Sequence, residues 1–243
     1  MAGPEREAAA GLVVADKFSE QVYWLLRGRI VRGGLRPDSR IDLPALMAEL
    51  GISKTPLRQA LARLELDGLV TTRARSGTYV STLTLNDIRE VCDVRLGIEW
   101  VATLRATGAV PADVLQELRA EVVAAEAAAG SGDYEPFFAS DTRLHTTIME
   151  YAGNERLRRA RAGVEGYIEW MQVVGATGAH RIRGASQRHL AILDAMIAGD
   201  AERARDEAAV HVGEVRAWTL EDFAALYGET YRGPATAPGR ALR

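Results

Sequence analysis

The hydrophobic pattern of this chain changes rhythm once, near residue 82. Ahead of that point, short helical stripes give way to two strands. Over residues 17–33, Val22, Leu25, Leu26 and Ile30 recur at helical spacing and Gly33-Gly34 close the segment, which predicts a first helix. A second helix is expected at 43–50. Asp42 is its N-cap, Pro44 sits in the first turn where a missing N–H matters little, and Gly51 ends it. A third begins after Ser53, carries Pro56 in its first turn and a stripe of Leu57, Leu61 and Leu64, and stops at Asp67-Gly68. Leu69 to Thr72 and Thr78 to Val80 then read as strands joined by a turn from Arg73 to Gly77.

After Thr84 the pattern is helical throughout, broken at Gly108–Pro111, Gly130–Gly132, Gly153-Asn154, Gly175–Gly178 and Gly199-Asp200. This predicts five or six antiparallel helices, with a short extra helix near 219–228. The expected fold class is mostly α: an N-terminal winged helix-turn-helix over 16–81, then a C-terminal antiparallel all-helical bundle over 82–228. The Ala/Gly/Pro-rich ends, 1–15 and 229–243, are expected to be disordered.

Charge sharpens this division. Eleven Lys and Arg face seven Asp and Glu over 16–81, a balance of +4, and since the whole chain carries −3 the remainder carries −7. A basic front on an acidic body suits a head that meets nucleic acid and a body that does not. The single cysteine, Cys92, rules out an intrachain disulfide and reads as a small core residue. No apolar run approaches the roughly 20 residues that span a bilayer, and Met1 to Ala10 lacks a signal-peptide core, so a cytoplasmic protein with no membrane partner is expected.

The second and third helices, with the short turn at Gly51-Ile52-Ser53, have helix-turn-helix spacing. Such a motif lays its second helix in the major groove. The polar side of that helix offers Lys54, Thr55, Arg58, Gln59 and Arg63, which are donors for guanine, adenine or phosphate. Arg73, Arg75 and Gly77 in the strand turn suit a wing tip that enters the minor groove. Taken singly these residues could be solvated surface charges; caps, turn length and basic loop together favour DNA. The run from Gly51 through Lys54-Thr-Pro-Leu-Arg58 to Val70, followed by Ser76-Gly-Thr-Tyr-Val80, resembles the winged helix-turn-helix of the GntR family of transcription regulators. The resemblance implies DNA contacts by Lys54, Thr55, Arg58 and Gly77. Two positions depart from it: Lys54 stands where the family usually has Arg, and Leu43-Pro44 replace polar or charged residues.

In the helical half, Asp141 and His145 lie four residues apart, on one helix face flanked by Phe138, Leu144 and Ile148. His189 and His211 each lie on an apolar stripe. Each is also eleven residues from Asp200, one before and one after, so an antiparallel hairpin at Gly199-Asp200 brings them level. Three inward histidines and one carboxylate suit a divalent metal, Zn²⁺ first, with Ni²⁺ or Mn²⁺ as alternatives; each histidine alone would be an ordinary hydrogen-bonded core residue. His180 falls outside the pattern. Arg95 shares an inward stripe with Ile88, Val91, Ile98 and Ala102, and a buried guanidinium needs an anion. That anion is either Glu99, one turn on, or the carboxylate of a ligand held between Arg95 and the metal.

Residues 84–220 resemble the FCD effector domain of the FadR subgroup, through Val94-Arg95-Leu-Gly-Ile-Glu99, Asp141-Thr-Arg-Leu-His145, Gly153-Asn154, and His189 by way of Gly199-Asp200 to His211. The resemblance implies metal ligation by Asp141, His145, His189 and His211, and effector contact by Arg95. It also implies a homodimer on a palindromic double-stranded operator and a small organic acid as effector, such as a sugar acid or a central carboxylate. The function expected is a ligand-responsive regulator, a repressor by the family's usual behaviour, and not an enzyme. Two alternatives stand beside it: a regulator whose metal is purely structural, and a metal-dependent hydrolase or lyase with a DNA-binding appendage. The last is disfavoured because no His-Glu-x-x-His helix or nucleophile–His pairing accompanies the ligands.

Overall fold

A computed structural model of the chain describes residues 4–174 and 179–233. It divides into two compact units, Met1–Thr84 with Glu229–Arg243, and Leu85–Gly228. The fold class is the expected one, mostly helical with only small sheets.

The first unit contains α1 (Pro4–Val31), α2 (Leu43–Leu50), α3 (Lys54–Leu66), β1 (Val70–Arg73), β2 (Gly77–Val80) and β3 (Leu83–Thr84). The caps read from sequence are in place at α2. Asp42 accepts a hydrogen bond from the Ala45 backbone N–H at 3.1 Å, and Gly51 closes the helix in the left-handed region. Ser53 precedes α3 with extended backbone but makes no side-chain cap. Leu57, Ala60, Leu61 and Leu64 of α3 are buried, and the helix packs on α1. Along α1 the buried residues are Val22, Tyr23, Leu26, Ile30 and Val31, whereas Leu25, expected in the stripe, is 39% exposed. Spacing could not separate Leu25 from its neighbour Leu26, because both fall within the wide apolar arc of a single-sided helix. β1 and β2 form an antiparallel hairpin in which Val70 faces Val80 and Arg73 faces Gly77. The segment before α2 joins it, through Ile41 N–H to Thr78 O at 2.9 Å and Val80 N–H to Ser39 O at 3.0 Å.

Among the described residues, part of each segment expected to be a tail carries secondary structure. The first is helical from Pro4 onward, in keeping with an Ala-rich run behind a proline that opens a helix without loss. In the second, β4 (Thr230–Tyr231) pairs antiparallel with β3, with Leu83 and Tyr231 both buried. A two-residue strand is too short to leave any periodicity in sequence.

The second unit is a bundle of α4 (Leu85–Ala106), α5 (Ala112–Gly130), α6 (Glu135–Tyr151), α7 (Glu155–Val174), α8 (Ala179–Ile197) and α9 (Ala201–Tyr227). The extra helix expected near 219–228 is instead the continuation of α9, which runs unbroken to a Gly228 cap. The break expected at Gly175–Gly178 and the side chain of His180 lie outside the described residues. α4 packs against α9, α7 and α6, while α8 packs against α9 and α5. Ile98, Leu118, Leu144, Ile192, Leu193 and Met196 build the main core. Each such side chain contributes about 1.5–3 kcal/mol of burial, and this offsets the desolvation of the polar residues buried with them. Those include Arg95, Glu99, Asp141, His145, His189 and His211.

Candidate functional site

Three helices bring the four proposed ligands together. Asp141 and His145 project from one face of α6, His189 from α8 and His211 from α9. The α8–α9 turn is fixed by Asp200, which accepts from the Arg203 N–H at 3.0 Å, and the equal count on either side then sets the two imidazoles level. Their Nε2 atoms are 3.4 Å apart. Asp141 Oδ1 lies 3.3 Å from His189 Nε2 and 3.5 Å from His145 Nε2. One ligand atom from each residue falls within 4.8 Å of all the others. Around a tetrahedral ion with bonds of about 2.0–2.1 Å, neighbouring ligand atoms stand about 3.3–3.4 Å apart, so the separations of 3.3, 3.4 and 3.5 Å suit a divalent metal, as does the type of ligand.

The surroundings hold these groups in place. His145 Nδ1 lies 3.1 Å from Glu99 Oε2, on the side of the ring away from the cluster. Gln172 donates to Asp141 Oδ2 at 3.2 Å and leaves Oδ1 turned toward the histidines. Such outer contacts orient metal ligands. Arg95 Nε donates to Glu99 Oε1 at 2.5 Å, so the sequence-level alternative of a Glu99 partner is present. Its Nη2 also reaches 3.1 Å from His145 Nε2 and 3.3 Å from His211 Nε2. A guanidinium can only donate, so either ring accepts from Arg95 at Nε2 only when it is neutral with its proton on Nδ1.

Burial opposes charge at every one of these groups. At Glu99 it is outweighed by Arg95 and His145, which hold the carboxyl well below its ordinary range. At Asp141 it is likewise outweighed by His145 and His189. His145 is raised to about 9 against the same burial by Glu99 and Asp141. At His189 burial prevails and the pKa falls. At His211 it falls well below the usual imidazole range, with His189 and Arg95 adding to burial. Neutral rings at His189 and His211 keep lone pairs for a metal, and the field that favours a proton on His145 equally favours a cation among these atoms.

A cavity of about 100 Å³ opens beside the cluster, with Arg95, Asp141 and His211 in its wall. Sequence spacing had marked these three residues. It had not marked Gln172, which stands alone in its helix pattern, nor the contact of Glu99 with His145.

In the first unit, Lys54, Thr55, Arg58 and Gln59 are exposed along one side of α3, and Arg73 and Arg75 are exposed on the wing. Arg58 lines a groove of about 790 Å³ together with Arg40, Thr72, Gly77 and Thr78. Arg40 was not singled out from sequence. Gly77 has φ +119°, a conformation that residues with a side chain rarely adopt, and a Cβ there would also displace the Arg40 side chain, whose Nε would lie at 2.9 Å. Two candidates have partners within the unit. Arg63 lies 3.8 Å over the Tyr23 ring, which ties α3 to α1. Arg73 bonds Asp38 at 2.5 Å and lies 4.0 Å over Tyr79. Among the described residues, no helix is long and apolar enough to cross a membrane.

Comparison with known proteins matches both units. The sequence profile described as bacterial regulatory proteins, gntR family, matches residues 18–80, and the FCD domain matches residues 90–214. A Paenarthrobacter nicotinovorans protein described as a probable D-xylose utilization operon transcriptional repressor is 30% identical over 85% of this chain and 90% of its own. E. coli McbR/YncC has a similar solved structure, with TM-score 0.68 and 20% identity, covering 85% of this chain and 98% of that one. A transcriptional regulator of Rhodococcus sp. RHA1 superposes with TM-score 0.66 at 21% identity, covering 84% and 97%. With a helix-turn-helix profile over its head, an FCD profile over half of its length and a repressor among its relatives, the chain belongs to the GntR family of DNA-binding transcription regulators, in the branch that carries an FCD domain.

Proposed function

We propose that this regulator is a repressor whose FCD domain binds a divalent metal and, through it, a small organic acid that changes the affinity of the head for its operator. Asp141, His145, His189 and His211 would hold the metal, Zn²⁺ first, with Ni²⁺ or Mn²⁺ as alternatives. When bound, the ion supplies a positive centre for a ligand carboxylate. One observation carries the reading: three imidazole nitrogens and a carboxylate oxygen converge in a buried site beside the Arg95 guanidinium.

Charge balance supports an anion there. With neutral imidazoles, Asp141, Glu99 and Arg95 sum to −1; a divalent ion brings the site to +1, and one carboxylate brings it to neutrality. A buried site favours that balance, since unpaired charge is expensive in the interior. Arg95 would donate to the acid while Glu99 holds the guanidinium in place, which makes the two sequence-level alternatives compatible.

The head would act as half of a homodimer on a palindromic double-stranded operator, with half-sites about one helical turn apart. Lys54, Thr55, Arg58, Gln59 and Arg63 would meet the major groove and Arg73 and Arg75 with Gly77 the minor groove, with Arg63 and Arg73 also braced by Tyr23 and by Asp38 and Tyr79. The acid can act only through a difference in its affinity for the DNA-competent and incompetent states. Such a protein works in the cytoplasm as a sensor, without turning its ligand over.

Operator titrations with full-length, metal-loaded protein test this, with and without a panel of metabolite carboxylates and with bound metal measured in parallel. One equivalent of metal per chain, and at least one acid that shifts operator affinity, are expected. The short Arg95–Glu99 bond favours a second reading, in which Arg95 is satisfied internally and the metal is structural. That reading holds if metal removal unfolds the bundle while no acid alters operator affinity.

A further inference from the structure

The cavity beside the metal cluster has two polar ends and an apolar middle. Its inner end is formed by Arg95, Asp141 and His211. Its outer end is formed by Arg181, whose Nη2 donates to Glu221 and to Asp222, each at 2.9 Å. Between them the walls are Phe137, Ile168, Met171, Ile182, Val215 and Trp218. Trp218 can stand there only because residue 184 is glycine: a Cβ at that position would meet the indole at 2.7 Å.

Three features constrain what can bind. The inner end, with a divalent ion in place, lacks one negative charge. At the outer end Arg181 is already engaged by the lining Asp222 and by the largely exposed Glu221, so a second carboxylate on the ligand would find that guanidinium taken. Among the described residues the remaining polar side chains of the wall are Gln172, already donating to Asp141, and Thr219, too few to replace the water that the hydroxyls of a polyhydroxy chain would lose. Size adds a limit. At about 100 Å³ the cavity is smaller than the roughly 150 Å³ dry cavity known to accept benzene in another protein, so a single ring is the upper limit for the body.

We propose that the effector is a monocarboxylate with a compact apolar body, branched aliphatic or aromatic, rather than a dicarboxylate or a sugar acid. This rests on the reading of the site as an effector site and narrows the class of acid.

Calorimetric titration of full-length, Zn²⁺-loaded protein tests it, with benzoate and isovalerate set against succinate and gluconate, and with bound zinc measured before and after. Benzoate or isovalerate should bind at least about tenfold more tightly than succinate or gluconate. Trp218→Ala should weaken the favoured acid about tenfold while leaving the zinc content unchanged. Asp222→Asn, which removes one of the two outer negative charges, should strengthen succinate binding. Tighter binding of succinate or gluconate overturns the proposed class and leaves the effector reading standing. Tight benzoate binding that Trp218→Ala does not alter places the acid elsewhere and also overturns it. If none of the four acids binds zinc-loaded protein, this proposal and the effector reading fall together.

Discussion

Replacement of Arg95 by Met probes the buried pair on which the proposed effector site is built. The two side chains of the pair, Arg95 and Glu99, are each 4% exposed and 2.5 Å apart. Removing one partner of such a pair leaves an uncompensated charge in the interior, at about 3–5 kcal/mol. Glu99 would keep His145 Nδ1 at 3.1 Å and Arg161 Nε at 3.9 Å, so the lower end applies, about 3 kcal/mol. At about 2–4 °C per kcal/mol for a chain of this size, the bundle should melt about 6–12 °C lower. Arg95→Met combined with Glu99→Leu removes the stranded charge, and the main remaining loss is the Glu99–His145 contact, about 1 kcal/mol. The assay is urea unfolding of metal-free protein at the four corners of the double-mutant cycle, so that the ion pair is read apart from metal binding. Glu99→Leu alone also strands a buried charge, so the two single costs together should exceed that of the double substitution by at least about 2 kcal/mol. If Arg95→Met unfolds at the wild-type urea midpoint, or the two substitutions simply add, the pair is not what holds this part of α4 together.

Other consequences are equally direct. Arg58→Ala should abolish operator binding without changing the oligomeric state measured by light scattering; retained nanomolar affinity rejects its role on α3. His189→Ala and His211→Ala should each leave bound metal well below one equivalent per chain by elemental analysis, and full occupancy in both would disprove the ligand set. Gly77→Val forces a β-branched residue into φ +119° and against Arg40, so operator affinity should fall while the melting of the helical bundle stays unchanged. A shift of both transitions together would show that the wing is not the part affected.

Local chemistry wrote much of this molecule in a form that can be read without coordinates. Asp42, Pro44 and Gly51 punctuate α2 because caps depend on residues within one turn of each other. The level placement of His189 and His211 follows from the fixed rise of a helix and one hairpin, both properties of a continuous stretch of chain. Asp141 and His145 share a face because four residues nearly complete a turn. The remainder needed the packed structure. That Glu99 faces His145 across 45 intervening positions of sequence but only 3.1 Å of space depends on how α4 lies on α6. Gln172, the apolar cavity closed by Trp218 and Arg181, and the seat of Arg63 on Tyr23 likewise arise where helices meet. Periodicity states which side of a helix turns inward; which neighbour it then meets is decided by the mutual packing of whole helices, a quantity no local stretch of sequence contains.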